Sequence, residues 1–176
     1  MILSLVYYGN PLLRQKAARV DLITDEIRQL VIDMEETMFA HDGIGLAAPQ
    51  IGRSLALFVR SIPIKKGDEQ WEQGPTEIFI NPKILGFSPE QEYIGEGCLS
   101  MPNIYGEVPR PVRIKVEATD INGNLFVKEY SDLYARNILH ENDHLNGVLF
   151  IDRMEKEERK ELENALRQLK KKYTGK

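Results

Sequence analysis

Apolar residues recur at helical spacing over Ile27, Leu30, Val31, Met34 and Met38, which predicts a helix running to about Ala40. Thr24 caps it, and Asp25 and Glu26 fill the first turn, where the helix dipole favours acids. Val112–Ala118 alternates strictly: Val112, Ile114, Val116 and Ala118 point one way, Arg113, Lys115 and Glu117 the other. Asn122-Gly123 then predicts a hairpin with Leu125–Tyr130 as the returning strand. The run Leu55–Val59 predicts a buried strand. Glu77–Asn81 and Lys83–Phe87 are short strands divided by Pro82. Asn10-Pro11 starts a short helix. Ser131 or Asp132 caps another that reaches about Asn146 and stops at Gly147. Glu155–Lys172 predicts a last, charged helix with Leu162, Ala165, Leu166 and Leu169 as its apolar stripe. Residues 42–45 make a glycine-rich turn. Residues 61–76 make a long polar loop, anchored by Trp71. Strands mixed with a few helices, without βαβ regularity, give an α+β fold.

Composition narrows the chemistry. A chain of 176 residues fits one domain with its own core. Its single cysteine, Cys98, excludes an internal disulfide and any zinc site needing two or more cysteines, and fits a reducing compartment. The net charge of −4 argues against a general or sequence-specific nucleic-acid binder. It is unevenly spread, −7 over residues 1–153 and +3 over residues 154–176. No apolar run is long enough for a membrane span, and the N-terminus lacks the parts of a signal peptide, so a cytoplasmic protein is expected.

The sharpest local pattern is His140-Glu141-Asn142-Asp143-His144. On a helix the two imidazoles lie about 40° apart, and Glu141 about 60° from His144. Two histidines can share one divalent metal, with a carboxylate beside its water, as hydrolysis needs. A third protein ligand is required if one position stays open for water. The extended H-E-x-x-H-x-x-G-x-x-H form fits at Gly147 but has Phe150 at its last position. Glu161 and Glu163 sit on the charged last helix. Cys98 in Glu96-Gly97-Cys98-Leu99-Ser100 is the remaining candidate. A third segment, Gly43-Ile44-Gly45-Leu46-Ala47-Ala48-Pro49-Gln50, has small residues that permit close backbone approach but lacks the Lys and Ser/Thr of a phosphate loop.

Taken in order, the segments at 43–50, 96–100 and 140–144 resemble the three motifs of the peptide deformylases: G-φ-G-φ-A-A-x-Q (φ apolar), E-G-C-φ-S and H-E-x-D-H. The resemblance implies antiparallel and mixed sheets packed around a central metal-binding helix, with a C-terminal helix. It implies a single catalytic domain over residues 1–153, to which the charged helix of residues 154–176 is attached. It makes Cys98, His140 and His144 the ligands of one divalent ion, usually ferrous iron in the family. Zn2+, Ni2+ and Co2+ also suit a thiolate with two imidazoles. The implied reaction is hydrolysis of the N-formyl group from the initiator methionine of nascent peptides, releasing formate. Glu141 takes a proton from the metal-bound water and passes it to the leaving amine. The Gln50 amide and the Leu99 backbone N–H stabilise the developing oxyanion.

Substrate peptides in the family bind extended, as an added strand, which makes Ile44, Gly45 and Gly97 contact candidates. Leu133 shares the azimuth of the two histidines and is a candidate wall for the methionine side chain; Asn137 shares that face. Glu96 is a candidate partner for Arg110. Leu139 stands where many members carry Gln, which removes a possible hydrogen bond but no ligand. His41 has no assigned role. Lys170, Lys171 and Lys172 make the ribosome a candidate partner of the last helix. Two other readings compete. A zinc endopeptidase lacks its downstream ligand here. A non-catalytic peptide- or ribosome-binding relative would have no need of the intact ligands and Glu141.

Overall fold

A computed structural model describes residues 1–67 and 70–175. After a short 3-10 turn at Pro11–Arg14 come α1 (Asp25–Ala40), β1 (Gly45–Ala47), a 3-10 turn at Ala48–Ile51, and β2 (Leu57–Arg60). The strands β3 (Ile64–Lys66), β4 (Gln70–Glu72), β5 (Glu77–Phe87), β6 (Gln91–Cys98), β7 (Met101–Pro111), β8 (Arg113–Thr119) and β9 (Leu125–Ser131) follow. The chain closes with α2 (Asp132–Leu145), a 3-10 turn at Phe150–Asp152, α3 (Lys156–Glu161) and α4 (Glu163–Thr174). The strands form one five-stranded sheet in the order β1-β2-β5-β8-β9 and two hairpins, β3-β4 and β6-β7. Every paired strand is antiparallel. The fold is α+β, as expected.

At β1, β2 and the start of β5 the five-stranded sheet is covered on both faces, which explains the unbroken apolar run at β2. Phe58, Phe79, Ile114, Val116 and Ala118 pack with Ala135 and Ile138 of α2. The rings of Phe58 and Phe79 stack at 4.7 Å. Leu57, Val59, Leu46 and Ile80 pack with Val31, Met34 and Met38 of α1. A third cluster lies outside the sheet. There Leu13, Met101, Ile104, Val108 and Phe150 meet Leu166 and Leu169, which seat α4.

The cap at Thr24 holds, its hydroxyl accepting from Ile27 N. The alternating strand and the hairpin at Asn122-Gly123 also form. Five expectations need correction. Residues 77–87 are one strand, not two. It passes Pro82 by shifting register between Ile80 and Lys83, where no ladder donor is needed. The loop over 61–76 contains β3 and β4, paired Ile64↔Glu72, Lys65↔Trp71 and Lys66↔Gln70; its residues 68 and 69 lie outside the described residues. Trp71 anchors nothing in the core: it is 69% exposed, on a hairpin whose described strand residues are all exposed. The turn at 42–45 yields to strand at Gly45, because Gly45, Leu46 and Ala47 pair with β2. The last helix is two helices. Leu162 N bonds Arg159 O, a tight turn that divides α3 from α4.

The cap of α2 also differs from expectation. Ser131 occupies the position but makes no side-chain cap, and its hydroxyl donates to Asp132 instead. The helix start is tied down by Asp132 N donating to Val112 O at 2.8 Å. Among the described residues no helix is long and apolar enough to cross a membrane.

Candidate metal centre and active site

Helix α2 turns His140 and His144 toward the β6-β7 hairpin and Glu141 toward Gly45 of β1. Cys98 ends β6, where a register shift lets Cys98 pair with Met101 after Gly97 has paired with Tyr105. That irregularity turns the thiol toward α2: Sγ lies 3.2 Å from His144 Nε2. Ligand atoms of Cys98, His140 and His144 all fall within 4.8 Å of one another. Phe150, which the extended histidine pattern would need as a ligand, instead stacks against the His140 ring.

The donor set fits a metal ion on its own chemistry. A soft sulfur and two imidazole nitrogens suit iron, zinc, cobalt or nickel rather than magnesium or calcium. His140 Nδ1 is taken by Glu96 Oε2 at 2.9 Å, which leaves Nε2 for the cluster. Burial holds the His144 imidazole well below its ordinary pKa, so it is a neutral donor. Burial works against a cation at His140 too, but hydrogen bonds to Cys98 and Glu96 outweigh it and raise that group.

Behind the donors stands a buried charge network. Arg110 reaches Glu96 through Nε at 2.8 Å and a terminal nitrogen at 3.0 Å, and reaches Asp143 at 2.6 Å. Arg136 bonds Glu96 Oε1 at 2.8 Å, and the carbonyls of Val108 and Glu92 at 2.8 and 2.6 Å. Arg153 closes on Asp143 at 2.8 Å. Burial alone would raise the Glu96 pKa, yet His140 and Arg110 hold it far below the carboxylate range. The expected Glu96–Arg110 pair therefore forms, with both side chains buried. Arg136 and Arg153 are network members with no part in the sequence motifs, and Asp143, the second acid of H-E-x-D-H, carried no assigned role. Arg136 lies four residues before His140, on the same helix face, and that spacing was the available signal.

Glu141 is buried on the same helix. Burial pushes its carboxyl pKa up to about 7. Its Oε2 finds no hydrogen-bond partner among the described residues. Gly45 backs it so closely that a Cβ there would overlap Oε1 and the Asn137 amide. Gln50 is held in one orientation: its carbonyl accepts from Ala47 N at 2.9 Å. Its amide donates to Ser100 Oγ at 3.2 Å and faces Cys98 Sγ at 3.4 Å.

These groups line a cavity of about 700 Å³. Nine of the ten candidate residues border it: Ile44, Gly45, Gln50, Gly97, Cys98, Leu99, Leu133, His140 and Glu141. The tenth, His144, is 1% exposed and sits behind that wall. Leu133 is at the mouth, and His41 also lines the cavity. Asn137 turns its amide to Ile44 O at 3.4 Å, so it ties α2 to the segment entering β1. Leu139 packs against the core beneath the sheet, away from the ligands.

β1 is an edge strand. Ser61 N donates to Ile44 O, so the pair Gly45↔Arg60 is the non-hydrogen-bonded type. The Gly45 N–H and C=O therefore point away from β2.

The polypeptide deformylase family profile matches residues 2–160. The chain is 44% identical over 151 residues to a peptide deformylase of Acinetobacter baumannii, covering 86% of this chain and 82% of that protein. It is 41% identical over 174 residues to the chloroplastic/mitochondrial peptide deformylase 1B of Arabidopsis thaliana, covering 99% of this chain and 62% of that protein. Among solved structures, a Plasmodium falciparum peptide deformylase superposes with a TM-score of 0.89 at 35% identity, covering 98% of each chain. The Thermotoga maritima enzyme superposes with a TM-score of 0.79 at 39% identity, covering 88% of this chain and 99% of that one. Sequence and fold agree along nearly the whole length, and this chain belongs to the peptide deformylase family.

Proposed function

We propose that the chain hydrolyses the N-formyl group from the first methionine of newly made polypeptides, releasing formate. The observation that carries this reading is Glu141: a buried carboxylate with a free oxygen, beside three metal-donor atoms, on the floor of a cavity. Cys98, His140 and His144 hold the metal, for which we propose ferrous iron, with Zn2+, Ni2+ or Co2+ as workable substitutes. When bound, the ion supplies Lewis acidity that makes water nucleophilic near neutral pH and polarises the formyl oxygen.

Glu141 takes the proton from the attacking water and returns it to the departing amine. Burial raises the proton affinity of that carboxyl, which favours holding the proton between the two transfers. The Gln50 amide and the Leu99 backbone N–H donate to the oxygen on which charge develops. Because Ala47 fixes the Gln50 carbonyl, the amide needs no reorientation as that charge appears.

The peptide binds extended along the outward edge of Gly45, with Ile44 and Gly97 beside it. Leu133 walls the pocket for the methionine side chain, and Asn137 makes it partly polar. Residues 1–153 form the catalytic unit, and the helices of residues 154–176 are attached to it. Lys170, Lys171 and Lys172 offer positive charge to ribosomal RNA. Salt-sensitive co-sedimentation that is lost on truncation from residue 160 supports that contact, and unchanged binding overturns it. We propose the cytoplasm as its compartment, in keeping with a lone cysteine that fits a reducing environment.

The deciding experiment is anaerobic purification, metal analysis, and assay of formate from a formyl-methionyl peptide. Formate release that disappears in Glu141→Gln with metal retained supports the assignment. No release from the iron-loaded protein overturns it. Cys98→Ala that keeps its metal and full peptidase activity would favour an endopeptidase built on the histidine pair.

A further inference from the structure

The cavity extends past the metal donors. Leu99 and Pro102 share its wall with Leu5, Tyr7 and Tyr173. The Tyr7 and Tyr173 rings stack with centroids 3.8 Å apart and planes 14° from parallel. They come from opposite ends of the chain, and both are held from behind. Val6 and Tyr8 turn inward onto the cluster that seats α4, while Tyr7 between them turns outward. Val6 N donates to Gln50 O at 2.7 Å and Tyr8 N to Ser100 O at 2.9 Å, which ties this segment to the residues beside the catalytic groups. Leu169, one turn before Tyr173, is buried. Gly9 lies so close to Lys170 and Thr174 that a Cβ there would overlap both.

A stack whose only task was to fasten α4 would be covered. Here Tyr173 is 37% exposed and both residues line the cavity. Resting on the deformylase reading, we propose that the Tyr7–Tyr173 stack is a distal subsite. It receives an apolar or aromatic side chain several residues downstream of the formylated methionine, so α4 takes part in substrate selection. The occupant follows from continuity. Leu133, on α2, takes the first side chain. Tyr173 lines the same cavity from a different helix, α4, which packs on β7 and, through the ring stack with Tyr7, on the N-terminal segment. An extended peptide leaving the Gly45 edge turns every second side chain to one face, about 6–7 Å apart. A flat ring pair is a platform for aromatic or thioether side chains. The Lys172 ammonium, 5.1 Å from the Tyr173 ring, disfavours a basic one.

The test compares kcat/KM for formyl-methionyl-alanine with that for formylated pentapeptides carrying Phe, Ala or Lys at positions 3 to 5. The wild type should favour Phe over Ala and Lys at one of those positions. Tyr173→Ala should narrow that preference about three- to tenfold, through KM rather than kcat. Tyr173→Phe should keep it. Tyr7→Ala should act like Tyr173→Ala, and the double variant should add little. A benzophenone carried at the preferred position should crosslink wild-type protein within residues 5–8 or 163–175. A preference left intact by folded Tyr173→Ala and Tyr7→Ala, or crosslinking confined to other segments, overturns the proposal. Turnover that ignores positions 3 to 5 overturns it while leaving the deformylase reading standing; no turnover on any peptide overturns both.

Discussion

Glu96 Oε2 lies 2.9 Å from His140 Nδ1, and the same carboxylate accepts from Arg110 and Arg136. One residue next to the Gly97-Cys98 turn thus sets the tautomer of a histidine on α2 and neutralises two buried guanidinium groups. Glu96→Gln keeps the shape and removes the charge. It should lower metal affinity about 10–100-fold, measured by competition with a chelator. Glu96→Ala also removes the hydrogen-bond acceptor, which leaves Arg136 without a carboxylate partner and Arg110 with Asp143 alone, and should cost about 3–5 kcal/mol in denaturant unfolding.

Gly45→Ala separates chemistry from metal binding. A methyl group there collides with Glu141 Oε1 and leaves Cys98, His140 and His144 untouched. Metal content should match the wild type, while kcat falls about 100-fold, as expected when a reacting group is displaced by about 1 Å. Equal kcat would show that the Glu141 carboxylate can move aside without loss.

Gly147→Ala should destabilise the fold rather than the chemistry. Gly147 ends α2 with φ 70°, and a Cβ there would overlap the Arg14 backbone carbonyl. The left-handed conformation alone costs a non-glycine residue about 1–2 kcal/mol. The variant should lose about 2–8 °C of Tm by calorimetry.

Asp152 gives stability a dependence on acid. Burial would raise its pKa, but Arg14 outweighs burial and holds it below the ordinary value, with the Leu149 N–H and Arg159 assisting. A depressed carboxyl stabilises the fold above its unfolded pKa of about 3.9 and loses that contribution as pH falls through the lower folded value. Asp152→Asn should therefore lower Tm at pH 6 and converge with the wild type as pH drops below about 3.9. A constant offset across pH 6 to 3 would show that the charge is not what matters.

Legibility tracked burial geometry. β8 and β9 could be read because one face is buried and the other wet, and because Asn122-Gly123 joins them. β6 and β7 could not. β6 is exposed along most of its length and carries Gly95 and Gly97, so it shows no alternation. Part of its support is Arg136 bonding the Glu92 and Val108 carbonyls, a tertiary contact without a local signature. The site followed the same rule. Donor atoms have few alternative uses, so Cys98, His140 and His144 stood out by residue type and spacing. Arg136, Asp143 and Arg153 are charged residues on or near a helix, and such residues read as solvated until their partners are placed.

Cys98 and His144 touch across 46 positions of sequence. Neither the β6-β7 hairpin nor α2 can offer three donors alone, so the site closes only when hairpin and helix have docked. Its assembly reports on long-range order rather than on secondary structure. A collapsed intermediate with intact helices and hairpins would bind metal poorly, and the free energy of metal binding accrues only to the finished topology. Metal uptake followed during refolding would therefore trail the recovery of helical signal and time the docking of hairpin on helix.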